Sequence, residues 1–303
     1  MSSGGKDLYN GVLPVKKERG FTSNDVVAKL RGILKMKRIG HTGTLDPEVT
    51  GVLPVCLGKA TKLSGYLTDT DKTYSCVARL GIETDTEDLT GRVIRTSDCS
   101  GIDDKEVIHA LQGFVGGYEQ IPPMYSAKKV DGKKLYELAR EGIEIERKAC
   151  HVEIYDIRDI KPFSYEDEKK VSFTVDCSKG TYIRSLCRDL GAKLGAGASM
   201  ESLIRTKACG IGITECLTLK EIEDRVVSGE GIEGILLPPD HFFRELDSFS
   251  VSGQTEKMVR NGNIFKVSGK PDGRYRVYLS DGSFAGIYSI AGSEARLCRS
   301  FQG

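Results

Sequence analysis

The sequence predicts an α+β fold, on three observations. Apolar stripes at helical spacing and stretches of strand-like alternation both occur, but they do not alternate strictly as a doubly wound fold requires. The helix candidates carry capping residues at their starts. From about residue 247 onward only strand and turn signals remain, which divides the chain into residues 1–246 and a small second domain, 247–303.

Taken in order, Thr22 or Ser23 can cap a helix with Asp25 in its first turn and Val26, Val27, Leu30, Ile33 and Leu34 along one face. The segment GHTGTLDPEVTGVLPVCLG, residues 40–58, reads as a loop because glycine and proline punctuate it. Residues 73–80 and 170–177 alternate like half-buried strands. The second runs through Ser178-Lys179-Gly180 to a helix that Thr181 can cap and Gly195 can end. Residues 103–114 form another capped helix candidate, and Thr218-x-x-Glu221 is a capping box opening a further one. After Leu236-Leu237-Pro238-Pro239 the character changes, and RYRVYL, a Ser280-Asp281-Gly282 turn and SFAGIYSI read as a hairpin.

With 303 residues, 39% hydrophobic and 29% charged, the composition is that of an ordinary globular chain. No apolar run reaches the roughly 18–20 residues of a membrane helix, and MSSGGKDLYN lacks the basic-then-apolar layout of a signal peptide. Nine cysteines without a C-x-x-C pair argue against a disulfide framework and a zinc site, and for a reducing, cytoplasmic compartment. Net charge is only +1, yet residues 1–40 hold nine basic side chains against three acidic ones. That excess suits either a solvated helix face or attraction of a polyanion.

Three chemistries compete for the glycine-rich region. A phosphate loop fails on spacing, since six residues separate Gly51 from Gly58-Lys59 where four are needed, and Ala60 stands in place of the magnesium-binding Ser or Thr. Asp69-Thr70-Asp71-Lys72-Thr73 resembles the D-x-D-x-T loop of haloacid-dehalogenase-type phosphotransferases, with Asp69 as nucleophile beside magnesium, but no apolar strand precedes it. Asp46 itself, on a Gly/Pro-restrained loop, can act as nucleophile or base, with Arg184 able to grip it bidentately. A lone loop aspartate is equally a turn-former or a cap.

Several blocks in order resemble the TruB family of tRNA pseudouridine synthases. They are Gly20-Phe21-Thr22-Ser23, residues 40–62, Lys72-Thr73-Tyr74, Gly81 to Asp88, Pro122 to Ala127, Gly180 to Leu186, and Leu203-Ile204-Arg205-Thr206. The match runs from about residue 11 to 245. Two departures stand out: Lys17-Glu18-Arg19-Gly20 lacks the family's proline before the glycine, and Val49 replaces a favoured alanine.

The resemblance implies a pseudouridine synthase fold, with a mixed, mainly antiparallel sheet flanked by helices and a PUA-like C-terminal RNA-binding domain. It implies isomerisation of uridine 55 in the tRNA T loop by base flipping, with no cofactor and no metal. Carried over by position, Asp46 is the nucleophile, Tyr74 stacks on the flipped base, Arg184 pairs with Asp46 and Leu203 supplies an apolar wall. His41 enters the RNA where the uridine leaves the stack, and Lys17 and Tyr182 join the substrate-binding set. Extracting a base costs a few kcal/mol, which aromatic stacking and edge hydrogen bonds offset.

Residues 122–150 match the family's RNA-gripping insertion, with Lys128, Lys129, Lys133 and Lys134, together with Arg205, as RNA contacts. An amphipathic surface helix is the alternative for that segment. The expected partner is the T-arm of tRNA, with no membrane and no obligate protein partner, and the chain is expected to act as a monomer. A tRNA-folding chaperone with secondary catalysis is the rival reading, and a magnesium phosphotransferase at Asp69 and Asp71 a weaker one. A catalytic subunit of a guide-RNA particle fits less well, because such relatives carry longer C-terminal domains and basic tails.

Overall fold

The computed structural model describes residues 8–301 other than 127, 131, 144 and 166. Its main body is a nine-stranded mixed sheet. The strands along its width are Gly11–Lys17, Thr50–Leu57, Ala198–Ala208, Lys72–Leu80, Glu168–Cys177, Cys150–Tyr165 and Gly116–Gln120, with Ile39–His41 and Ile211–Gly212 added at the side. Among the described strand pairings of this sheet, only that of Thr50–Leu57 with Ala198–Ala208 is parallel.

The expected helix signals hold where they are local. Thr22 and Asp25 form a capping box for helix Ser23–Leu34. Asp103 and Glu106 do so for Asp104–Gln112, and Thr218 and Glu221 for Leu219–Ser228. Each box satisfies backbone donors that a helix start leaves unpaired. Helix Ile183–Lys193 begins differently. Tyr182 stands at its N-cap without a side-chain cap bond, while the Thr181 hydroxyl donates to Ser178 O at 2.9 Å. Gln120 takes over the restraint: its Oε1 accepts from Tyr182 N–H at 2.8 Å and its Nε2 donates to Tyr182 O at 3.0 Å.

Residues 40–58 are less loop-like than their glycines and prolines suggest. Strands Ile39–His41 and Thr50–Leu57 enclose a short turn, residues 42–49. Pro54 lies opposite Pro14 in the ladder. The neighbours of Pro14 send their N–H groups outward, Val12 to Leu237 O and Lys16 to Leu217 O, so the N–H that Pro14 lacks faces away from the shared ladder. Thus two prolines are tolerated in paired strands. The VLPVCL run is wholly buried, and burial outweighs its turn-like composition.

Helices Asp104–Gln112 and Ile183–Lys193 pack with Tyr74, Cys76, Ala78, Leu80, Val171, Phe173 and Val175 on one side of the sheet. Ser23–Leu34 and Leu219–Ser228 cover Leu13, Val15, Leu53 and Val55. Beyond residue 247 the chain forms a five-stranded sheet. The 273–278 and 284–291 strands pair as the expected hairpin, but a helix, Gly253–Arg260, interrupts the all-β reading. There Glu256 accepts from the Ser280 hydroxyl at 2.6 Å and pairs with Arg260. Ile287 and Phe301 of this part join Leu63, Leu67 and Phe243 in one apolar cluster. The nine cysteines are free thiols, and no helix among the described residues is long and apolar enough to cross a membrane.

Gly51 marks the tightest approach in the sheet. Its φ is +111°, and a Cβ there would lie 2.2 Å from Arg205 O. Gly51→Ala is expected to lower stability by about 3 kcal/mol, read from the midpoint of urea unfolding; an unchanged midpoint would contradict the packing described.

Candidate active site

The turn 42–49 is held on both limbs. Thr42 N–H donates to Pro54 O at 3.1 Å, Gly43 takes a left-handed φ of +80°, and Val49 N–H closes back on Asp46 O at 3.1 Å. The buried Ser23 hydroxyl accepts from Leu45 N–H at 2.9 Å and donates to Leu45 O at 3.3 Å. Leu45 and Val49 are both buried in the main core cluster. With its neighbours anchored, the Asp46 side chain stays 45% exposed.

Across from it, Arg184 is 7% exposed, and its Nη2 lies 3.0 Å from Asp46 Oδ2. The same guanidinium donates through Nη2 to Tyr125 O at 2.8 Å and through Nη1 to Thr86 O at 3.0 Å, with Asp88 Oδ2 3.9 Å from Nη1. Glu87 accepts from the Ser185 hydroxyl at 2.7 Å and pairs with Arg188, tying the 84–88 turn to the helix that carries Arg184. A buried guanidinium whose donors are engaged in this way has one orientation, and it fixes where the Asp46 carboxylate points.

A second arginine braces the turn from behind. Arg205, 1% exposed, donates from Nε to Val52 O at 2.8 Å and from Nη2 to Gly43 O at 3.1 Å. It stands opposite Tyr74 in the strand register, and its positive charge acts on the Tyr74 phenol. Burial pushes the Tyr74 phenol above its usual range, against the pull of Arg205, so Tyr74 is a neutral phenol at physiological pH. Arg205, expected from sequence to contact RNA, is thus buried and braces the turn through its backbone.

These groups open onto a cavity of about 550 Å³, lined also by Leu203, Tyr182, Ser126 and Lys128. Among its described lining residues five are basic (Lys72, Lys128, Lys179, Arg184 and Arg205) and one, Asp46, is acidic. A polyanion is thus drawn toward a solitary carboxylate. Lys72, Lys179 and Gln120 are not legible as lining residues, because nothing in their local patterns announces that six separated segments converge.

Other expected residues fall outside the cavity lining. His41 has a buried Nδ1 with no partner among the described residues, and burial, then Arg205, lowers its pKa. Lys133 is exposed, while the side chains of Lys129 and Lys134, with Ala127, lie outside the described residues. Their backbone forms short paired strands, Lys129–Val130 and Lys133–Lys134, before helix Leu135–Arg140, so a single amphipathic helix does not span 122–150. The Asp69 and Asp71 carboxylates are turned to different partners, Lys179 at 3.2 Å and the Tyr155 hydroxyl at 3.0 Å.

Lys17, expected to meet substrate, is fully buried. Its ammonium donates to Glu18 O and Pro47 O, each at 3.0 Å, fastening the turn one residue past Asp46. Burial lowers its pKa from 10.5 to about 8, against the nearby Asp46 carboxylate, which favours the charged form. Unfolded chains keep this proton to higher pH than folded ones, so stability rises as pH passes upward through that window. Wild type should gain about 2 kcal/mol relative to Lys17→Met between pH 7 and pH 9.5, measured by urea unfolding; parallel stability curves would contradict this.

Residues 31–183 match the model of the TruB family pseudouridylate synthase N-terminal domain, and 184–244 that of the tRNA pseudouridylate synthase B C-terminal domain. The chain is 47% identical over 254 residues to tRNA pseudouridine synthase B of Alkaliphilus oremlandii, covering 84% of this chain and 82% of that one. It is 43% identical over 288 residues to the protein of the same name from Bacillus velezensis, covering 93% of each. The solved structure of a Cbf5–Nop10–Gar1 complex aligns with a TM-score of 0.70 at 23% identity, covering 98% of this chain and 86% of that one. An H/ACA RNP bound to a substrate RNA containing 2′-deoxyuridine aligns at 0.68 and 23%, covering 97% and 85%. These two likenesses bear on the fold alone, which is the pseudouridine synthase fold. The chain belongs to the TruB family of pseudouridine synthases.

Proposed function

We propose that this tRNA pseudouridine synthase isomerises uridine 55 of the T loop, flipping the base into the cavity where Asp46 acts as nucleophile. The observation that carries the reading is the half-exposed Asp46 carboxylate, the sole acidic side chain among the described lining residues, held 3.0 Å from a buried Arg184. A nucleophile must reach substrate while its counter-charge stays fixed and dry. A cavity of about 550 Å³ falls within the roughly 300–1,000 Å³ usual for small-ligand sites and has room for one nucleoside.

In this reading Tyr74 stacks on the extruded uracil, Leu203 closes an apolar side and Tyr182 borders the ribose. Detaching the base at N1 and rejoining it through C5 conserves all atoms except the C5 proton, which solvent exchanges. His41, beside the turn and outside the cavity, takes the place vacated in the RNA. Its lowered pKa keeps it neutral, which suits insertion among bases. Lys128 and Lys133 grip the T-arm, aided by Lys129 and Lys134. Residues 1–246 form the catalytic domain and 247–303 a PUA-like RNA-binding domain, and a monomer suffices, because one chain supplies every group named.

Asp46→Asn keeps the shape of the turn and removes the carboxylate. Tritium release from [5-³H]uridine-labelled tRNA should fall by about three orders of magnitude or more, with tRNA binding retained and weakening as salt rises. Release at the wild-type rate would overturn the assignment of Asp46.

A further inference from the structure

Ser126 stands in the cavity wall without a role in the scheme above. The residue is 5% exposed, and its hydroxyl oxygen is buried with no hydrogen-bond partner among the described residues. Its backbone is fully employed: N–H donates to Met124 O at 2.9 Å, and its carbonyl accepts from Tyr136 N–H at 3.1 Å. Its neighbour Tyr125 supplies the carbonyl that holds Arg184 at 2.8 Å. Ser126 is therefore attached directly to the framework that orients the Asp46–Arg184 pair.

An unpaired buried hydroxyl costs about 1–3 kcal/mol, and native interiors satisfy nearly all such groups. Alanine would fill the same space without that cost. A single rotation about Cα–Cβ carries the oxygen between staggered positions, and leaving its present one breaks no hydrogen bond. The group is free to turn toward whatever occupies the cavity.

We propose that the Ser126 hydroxyl hydrogen-bonds the carbonyl edge of the flipped uracil and retains the ring while it is detached. The inference rests on the pseudouridylation reading. Exchanging N1 for C5 at the sugar is a half-turn of the ring about the line through N3 and C6. That turn also exchanges the C2 and C4 carbonyls, leaving N3–H between them. A hydroxyl beside this edge meets the same pattern before and after the turn. Being both donor and acceptor, it holds the base in either orientation, where a fixed cation would favour a deprotonated ring.

The test compares Asp46→Asn with Asp46→Asn/Ser126→Ala, binding T-arm stem-loops whose target nucleotide is uridine, 2′-deoxyuridine or 2,4-dithiouridine. Binding to the uridine RNA should weaken about tenfold when Ser126 is replaced. The loss should persist with 2′-deoxyuridine and shrink below about threefold with the weakly accepting thiocarbonyls. The melting temperature should be unchanged or slightly raised, because an unsatisfied group has been removed. Unaltered affinity for the uridine RNA, a loss that disappears with 2′-deoxyuridine, a loss that survives dithio substitution, or a lowered melting temperature would each overturn the proposal. Wild-type protein that binds these RNAs but forms no pseudouridine would instead overturn the reading beneath it.

Discussion

The ion pair between Asp46 and Arg184 is the constraint on which the site depends. Burying a guanidinium costs several kcal/mol unless its donors are matched, and Arg184 is matched by Asp46, Thr86 O and Tyr125 O together. Three separated stretches of chain, 42–49, 84–88 and 122–126, therefore converge on one side chain. The cavity is the space they leave between them. Its position at the end of the central strands follows from where helix Ile183–Lys193 starts, and Gln120 sets that start by gripping the Tyr182 peptide.

Rigidity is distributed unevenly around this pair. Behind the turn, Arg205, Lys17 and Ser23 all bind backbone atoms of residues 43–47, so the charged groups on that side are spent on structure. In front, Asp46 meets the cavity without a second protein cation within ion-pairing distance among the described residues. A carboxylate held from behind and open in front loses little order on meeting a ligand. The net charge of +1 concealed this arrangement, because the electrostatic asymmetry is local to the cavity lining.

Much of the fold was legible because its signals are local. Capping boxes at Thr22, Asp103 and Thr218 need only neighbours three positions on, and the alternation of residues 73–80 reports one buried face. The central strand Ala198–Ala208 was not read, since bulges near Met200 and Arg205 break its period. The Thr50–Leu57 strand was hidden by its glycine and proline. At the site, Asp46 and Arg184 were found through motifs resembling a family, with the chemistry of a carboxylate and guanidinium supporting the pairing. That Lys17 and Arg205 are buried and bind backbone carbonyls was not legible, because charged residues are rarely buried whole and residue type alone does not reveal the exceptions. Ser126 lies in the Pro122 to Ala127 block, but its orphaned hydroxyl exists only once the chain has folded around it.

The most direct measurement is a nucleotide-resolution map of pseudouridine in unmodified tRNA transcripts after incubation with the purified protein alone. A single new pseudouridine at the T-loop position, formed without added metal, cofactor or guide RNA, is the expected result. Modification at another position, or none until a guide RNA or partner protein is supplied, would contradict the reading of this chain as a stand-alone synthase built around Asp46.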